Sequence, residues 1–535
     1  MSALPRRGVL KCLPVAAGAA VLAGPSAEAR ARTGGRTSPA GPVPGGPLPI
    51  DEAATGGTVD AVDGFPQPEV RSAPAGSRRL ATRLTVAYTE RELPGAGTVS
   101  TRTYEGGVPG PTLRLRAGDE LEITHVNALP AEAGGGHDRH VNVPHRFNTF
   151  NLHAHGMHVD PTGEADNVFR AFDPAVTRDG TTTHRTTISV PDGHPAGTFW
   201  YHPHHHGSTA TQLLSGMAGV IVVEGDVDEV PEIAAAREVV VCVNELRLDG
   251  GRVPDLTSEG AFDGIASTFL VNGARNPVLT LAPGEVQRWR IVHAGALTGL
   301  TLRLDGHELH QIARDGITFM APVTAGSVAL PMGGRADVLV RGGAPGTYEL
   351  ITDGVDAPLM TVVVTGAARD MALPKALPGR PTSLPEPTRR RDLTFRSYSN
   401  VFTGDFRNAY RILGEGETPH ADTAAGQQDL AWGRFAPDFV NHRVRLGEVE
   451  EWTIANDSHS HPNHPFHLHT NHFLVTAVNN RALAVPVWHD TVSIPPRGTI
   501  TFRLRAEDFT GRAMLHCHQV QHGDEGMMQI VEYVN

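Results

Sequence analysis

The sequence predicts an all-β protein made of three β-sandwich domains in tandem. Three observations carry this. A turn leading into an alternating strand occurs three times: Arg116-Ala-Gly118-Asp119 up to Asn127, Ala282-Pro-Gly284-Glu285 up to Val292, and Arg445-Leu-Gly447-Glu448 up to Asn456. Each copy is followed by a strand that stops at proline (Val190-Pro191, Leu330-Pro331, Ile494-Pro495) and then by a strand opened by Gly197, Gly346 or Gly511. Short strands punctuated by Gly and Pro, with no long helical periodicity, complete the case. A fixed recurrence of this kind implies a repeated domain.

Along the chain the elements fall in order. Residues 1–29 carry Arg6-Arg7, an apolar stretch from Cys12 to Gly24, and a small-residue cleavage site at Ala27-Glu28-Ala29. This is the pattern of a twin-arginine signal peptide, so an extracytoplasmic location is expected. The apolar stretch is shorter than the ~20 residues of a membrane span, and no stable membrane insertion is expected. Residues 30–79 are rich in Gly and Pro and read as an extended leader, with Phe65-Pro66-Gln67-Pro68 expected against the first domain. The sandwiches are expected over 80–228, 229–372 and 388–535, the last two joined by the Pro-rich linker Leu373–Pro387.

Composition narrows the function. The chain is 40% hydrophobic and 19% charged, with 46 basic and 58 acidic residues and a net charge of −12. That balance argues against nucleic-acid binding by phosphate neutralisation. The three cysteines, Cys12, Cys242 and Cys517, are too few for a disulfide scaffold.

Histidine carries the chemistry. The 28 histidines include four clusters: His153 and His155; His202 and His204; His464, His467 and His469; and His516, His518 and His522 around Cys517. On a strand, residues i and i+2 share a face and i+1 takes the other. Each His-X-His pair can therefore point one way. Cys517 points opposite to His516 and His518, and His464, an odd step from His467, can join it. The repeat is asymmetric. Five and seven residues after the opening glycine lie His202 and His204 in the first copy and His516 and His518 in the third, but Ile351 and Asp353 in the second. A site shared by the first and last domains follows. One donor set is imidazole alone, which suits zinc, copper or iron. The other holds Cys517, His464, His522 and the thioether of Met527, the ligand set of a blue-copper centre.

From residue 80 to the C-terminus the sequence resembles the three-domain multicopper oxidases of the laccase-like kind, most specifically in His516-Cys-His518-X3-His522-X4-Met527. The resemblance implies cupredoxin-like Greek-key domains and four copper ions. His464, Cys517 and His522, with Met527 axial, would hold type 1 copper. His153 and His467 would hold type 2. The type 3 pair would be held by His155, His202 and His518 on one ion and His204, His469 and His516 on the other. It further implies a small-molecule reductant giving single electrons at type 1 copper, relay through Cys517, and reduction of dioxygen to water. Asp166 resembles the family's carboxylate near type 2 copper and is expected to relay protons. Many relatives place Glu directly after the second type 1 histidine; here Gly523 stands there, followed by Asp524 and Glu525.

The expected reductants are phenols and aromatic amines. Cuprous-ion oxidation is the alternative, although no methionine occurs between Met371 and Met514. A copper-binding protein without turnover is a third reading. With every ligand in one chain, a monomer can complete the site. Trp488, His489 and Asp490 are candidates for the type 1 pocket. His205, His206, His459, His461 and His472 are expected at the rim of the site or just behind its ligands, and His137, His140 and His145 in a solvated loop.

Overall fold

The computed structural model describes residues 60–535 apart from 63, 94–96, 133–140, 177–179, 257–261, 263, 398–409, 421–431 and 459–462. The expected signal segment 1–29 with Cys12, the expected leader up to residue 59, and His137, His140, His459 and His461 lie outside the described residues.

The fold is all-β, with three cupredoxin-like sandwiches in succession. In each, one sheet is centred on the strand that follows the recurring turn: Glu120–Asn127, Val286–Ala294 and Val449–Asn456. Each of these strands pairs in parallel with the domain's first long strand (Arg79–Leu93, Arg237–Arg247, Arg389–Ser397) and antiparallel with the strand on its other side. The turns need glycine because Gly118, Gly284 and Gly447 all take φ between +73° and +80°. Alternating residues enter the cores: Leu121 and Ile123 in the first sandwich, Trp289 and Ile291 in the second, Trp452 and Ile454 in the third.

The glycine-opened strands Gly197–His202, Gly346–Ile351 and Gly511–Cys517 occupy equivalent positions in the three opposing sheets. The proline-stopped strands do not. Val328–Leu330 and Thr491–Ile494 are edge strands beside Leu300–Leu304 and His464–Leu468. In the first domain, Thr182–Ser189 instead joins the other sheet, beside Glu120–Asn127. Proline ends a strand by withholding a ladder donor, so it marks an end without marking a sheet.

The end of the leader also differs from expectation. Phe65 is fully buried in the core of the second sandwich, not the first. Gln67 bonds the backbone of Val240 in both directions, at 3.0 Å each. Only then does Val70–Ser72 add a strand to the first sandwich, parallel to Thr112–Arg116. Among the described residues, no helix is long and apolar enough to cross a membrane.

Candidate metal centre

Strand register builds the site. In the first sandwich His202 sits opposite His153, and Tyr201 opposite Ala154. Tyr201 and Ala154 enter the core, so the histidines face outward. In the third sandwich His467 sits opposite His516, and Phe466 opposite Cys517. Phe466 and Cys517 enter the core, and the His467 row again faces out. The two outward rows meet. His153, His155, His202, His204, His467, His469, His516 and His518 are all buried, and their donor atoms form compact sets: His153 with His155 and His467, His155 with His202 and His518, and His204 with His469 and His516.

These sets fit metal ions on the chemistry of their nitrogens. The His467 Nδ1–H donates to Asp490 O at 2.8 Å, and His153 Nδ1 faces Asp166 Oδ2 at 3.0 Å. Their Nε2 atoms then carry lone pairs, yet lie 3.3 Å apart. His516 donates from Nδ1 to Cys517 O, and its Nε2 lies 3.0 Å from Nε2 of His204 and 3.3 Å from that of His469. His202 donates from Nδ1 to Pro203 O, and its buried Nε2 has no hydrogen-bond partner among the described residues. Converging lone pairs repel unless a cation lies between them. Two imidazoles about 2.0–2.1 Å from a shared ion are spaced in this way. Burial, reinforced by neighbouring imidazoles, holds His153, His155, His204, His469 and His518 well below the usual histidine range. Burial also brings His202 down to about 3 and His516 to about 4. All are therefore neutral near pH 7, the form that ligates metal.

The second donor set lies inside the third sandwich. His464 Nδ1 is 3.4 Å and His522 Nδ1 3.6 Å from Cys517 Sγ, and the two nitrogens are 3.3 Å apart. Ser458 Oγ lies 2.7 Å from His464 Nε2, and Tyr410 stacks on His522 at 4.0 Å between ring centroids. Met527 is buried in the same apolar cluster as Cys517. Its backbone closes the loop, with the Cys517 N–H donating to Met527 O and the Met527 N–H to His522 O. Burial pushes the Cys517 thiol up, so a metal ion binding there displaces a proton.

Three carboxylates surround the two sets. Asp166 is buried, accepts the Ala154 N–H at 2.8 Å and faces both His153 and the strand that carries it. Burial pushes its carboxyl up to about 8, against the Ala154 hydrogen bond that lowers it. Asp524 accepts the Gly207 and Ala210 N–H groups at 2.8 and 2.7 Å, clamping the start of helix Thr209–Leu214; burial pushes it up to about 7. Asp490 is the correction. It is buried between His155 Nε2, at 3.2 Å, and the guanidinium of Arg335. Burial alone would raise its pKa, but Arg335 holds it well below the usual carboxylate range. A signal for this placement was present, since Asp490 precedes Thr491, which pairs with His467 across adjacent strands. Trp488 is likewise buried, donating to Pro381 O, and His489 Nδ1 meets Asp315 at 2.8 Å.

The peripheral histidines sort by partner. His472 Nε2 donates to Asp315 O at 2.8 Å and lies 3.4 Å from Asp490. His206 Nε2 meets Asn142 Oδ1 at 3.1 Å, and His205 packs near His145. His145 is half-buried, with Nδ1 2.8 Å from Val143 O.

Known proteins match at the scale of the whole fold. Residues 138–228, 250–367 and 417–535, together more than half of the chain, match family models described as multicopper oxidase. The protein named "Laccase" of Bacillus stratosphericus is 25% identical over 535 residues, covering 88% of this chain and 99% of that one. "Cell division protein FtsP" of Dickeya dadantii (strain 3937) is 26% identical over 408 residues, 73% of this chain and 75% of its own. The solved structure "Multicopper oxidase from Campylobacter jejuni: a metallo-oxidase" superposes with a TM-score of 0.68 at 22% identity, covering 88% of this chain and 97% of that one.

Proposed function

The chain belongs to the multicopper oxidase family and is a copper-dependent oxidoreductase that uses dioxygen, and from that premise we propose that it is a laccase-type oxidase of phenols and aromatic amines. The observation that supports the oxidase reading is that His464 and Cys517 take one face, and His467 and His516 the other, of the same two strands, each face belonging to a separate buried donor set; the lack of methionine between Met371 and Met514 favours phenols over cuprous ion. His464, Cys517 and His522, with Met527 axial, would hold type 1 copper. His153 and His467 would hold type 2. His155, His202 and His518, and His204, His469 and His516, would hold the type 3 pair. When bound, the four ions would supply the redox chemistry that takes single electrons from the reductant and reduces dioxygen to water.

The chain's own residues prepare for this. Hydrogen bonds at the far ring nitrogen fix the tautomer of three ligands: Asp490 O for His467, Pro203 O for His202, Cys517 O for His516. Asp166 holds the Nδ1–H of His153. Its carboxyl, raised to about 8 by burial and set against His153 Nδ1, is the group to which we assign the proton relay. Burial of all eight imidazoles excludes bulk water. Cys517 Sγ belongs to the His/Cys/His set, while its backbone neighbours His516 and His518 belong to the all-imidazole sets, so one tripeptide spans both. Export through the Arg6-Arg7 signal is part of the same proposal.

The test is dioxygen uptake by copper-loaded protein with a simple methoxyphenol, with catalase added to reveal peroxide. Four electrons per dioxygen, no peroxide, and loss of activity in Cys517→Ser are expected. Uptake with cuprous ion alone would replace the substrate class by metal ions. Full copper and blue colour without uptake from either reductant would refute turnover. Asp166→Asn is expected to slow turnover with copper retained; full turnover would remove it from the proton route.

A further inference from the structure

The second sandwich holds none of the metal donors, yet it reaches the centre. Its Gly333 lies against two of the imidazoles: a Cβ there would sit 2.9 Å from Cε1 and Nε2 of His518 and 3.0 Å from Cε1 of His155. Two residues on, strand Arg335–Arg341 begins with a fully buried arginine. Arg335 NH1 donates to Asp490 Oδ1 at 2.7 Å, and NH2 donates to Oδ2. The guanidinium is fixed at its other edges by Gly333 O at 3.1 Å and Thr198 O at 3.3 Å, and the Arg335 N–H donates to Asp315 Oδ1 at 3.0 Å. Gly156, directly after His155, leaves room for the pair. A Cβ there would lie 2.1 Å from Arg335 NH2 and 2.5 Å from Asp490 Oδ2.

We propose that Arg335 is a positioning residue, supplied by the domain without ligands, that sets the imidazoles of His155 and His467 through Asp490. The proposal rests on the copper reading above. The fork holds both carboxylate oxygens in one plane, which a point charge does not do. Oδ1 then faces His155 Nε2 at 3.2 Å, and the Asp490 carbonyl receives the His467 Nδ1–H. With its Nε2–H engaged by Asp490 and Thr491 Oγ1, His155 turns Nδ1 toward Nε2 of His518, 3.2 Å away. His467 in turn presents Nε2 to His153. One arginine thus fixes which nitrogen two ligands offer.

The test compares copper-loaded full-length wild type, Arg335→Met/Asp490→Asn and Arg335→Lys. The double variant removes both charges together, so neither is left buried and unpaired. Copper per chain after dialysis against a graded chelator, the type 2 electron paramagnetic resonance signal, the blue colour and the urea midpoint are read on each. The expected result for the double variant is unchanged blue colour, an altered type 2 signal and ~10–100-fold weaker retention of the imidazole-bound copper. Arg335→Lys, which keeps the charge without the fork, falls between. Unchanged retention and signal in both variants would overturn the proposal. So would parallel loss of blue colour, imidazole-bound copper and urea midpoint, which marks a purely structural role. A wild-type chain that takes up no copper would instead refute the copper reading, and the proposal with it.

Discussion

Replacing Gly333 by alanine tests whether the ligand-free sandwich shapes the metal centre. Gly333 has φ of +82°, a left-handed conformation that costs an L-residue roughly 1–2 kcal/mol. The new Cβ would stand 2.9 Å from the His518 ring and 3.0 Å from that of His155, where ordinary contact begins at 3.4 Å. One or both imidazoles must retreat by about half an ångström, the limit within which a site keeps productive geometry. Stability should fall by about 1–2 kcal/mol, read as the urea midpoint of the metal-free protein. Turnover should fall by about 10–100-fold, read as dioxygen uptake, with the blue colour intact because His464, Cys517 and His522 lie on the other side of the strands. Gly326→Ala is the control: no atom lies within 4 Å of its Cβ position, and both measurements should be unchanged. Equal dioxygen uptake by Gly333→Ala and wild type would refute the argument that this turn is pressed against the ligands.

Three further outcomes are expected. Cys517→Ser should abolish the blue colour while the eight outward imidazoles still retain copper, as chelator dialysis would show. Met527→Leu should raise the type 1 potential in a redox titration, because an axial thioether favours the lower potential. His125 is buried with Nε2 2.9 Å from Thr186 Oγ1, and burial lowers its pKa to about 3. Between the unfolded value of 6.5 and that value the unfolded chain binds a proton that the folded chain does not. This group's contribution is therefore complete above pH 6.5 and declines as pH falls, by up to about 1.4 kcal/mol per unit. Urea midpoints of the metal-free protein at pH 7 and pH 5 should show a slope that is shallower by that amount in His125→Gln.

The donor sets could be read from the sequence because strand alternation is a strict rule. Once His464 and His467 lie on one strand, an odd step must separate their faces, and Cys517 must oppose His516 and His518. What the sequence did not show depends on contacts between strands distant in the chain. Nothing local indicates that Asp490 meets Arg335, 155 residues earlier, or that Phe65 crosses to the second sandwich. A proline-stopped strand looks the same whether it enters one sheet or the other, so the equivalence drawn for Thr182–Ser189 failed. Clusters on one strand declare themselves, while packing partners brought by other domains do not.

The arrangement gives the third sandwich two sides with different requirements. The inward side around Cys517 is apolar, lined by Phe395, Phe466 and Met527, which suits a thiolate site whose electronics depend on a dry surround. The outward side is useful only when covered, because its four imidazoles, open to water, would partly protonate and repel one another. The first sandwich covers it and supplies half of the imidazoles. The second adds the turn at Gly333 and the charge of Arg335 without a histidine in the donor sets. A middle copy without ligands therefore still has a part in the centre: its Gly333 turn and Arg335 reach ligands of the third sandwich and of the first, and the asymmetry of the repeat matches that division of roles.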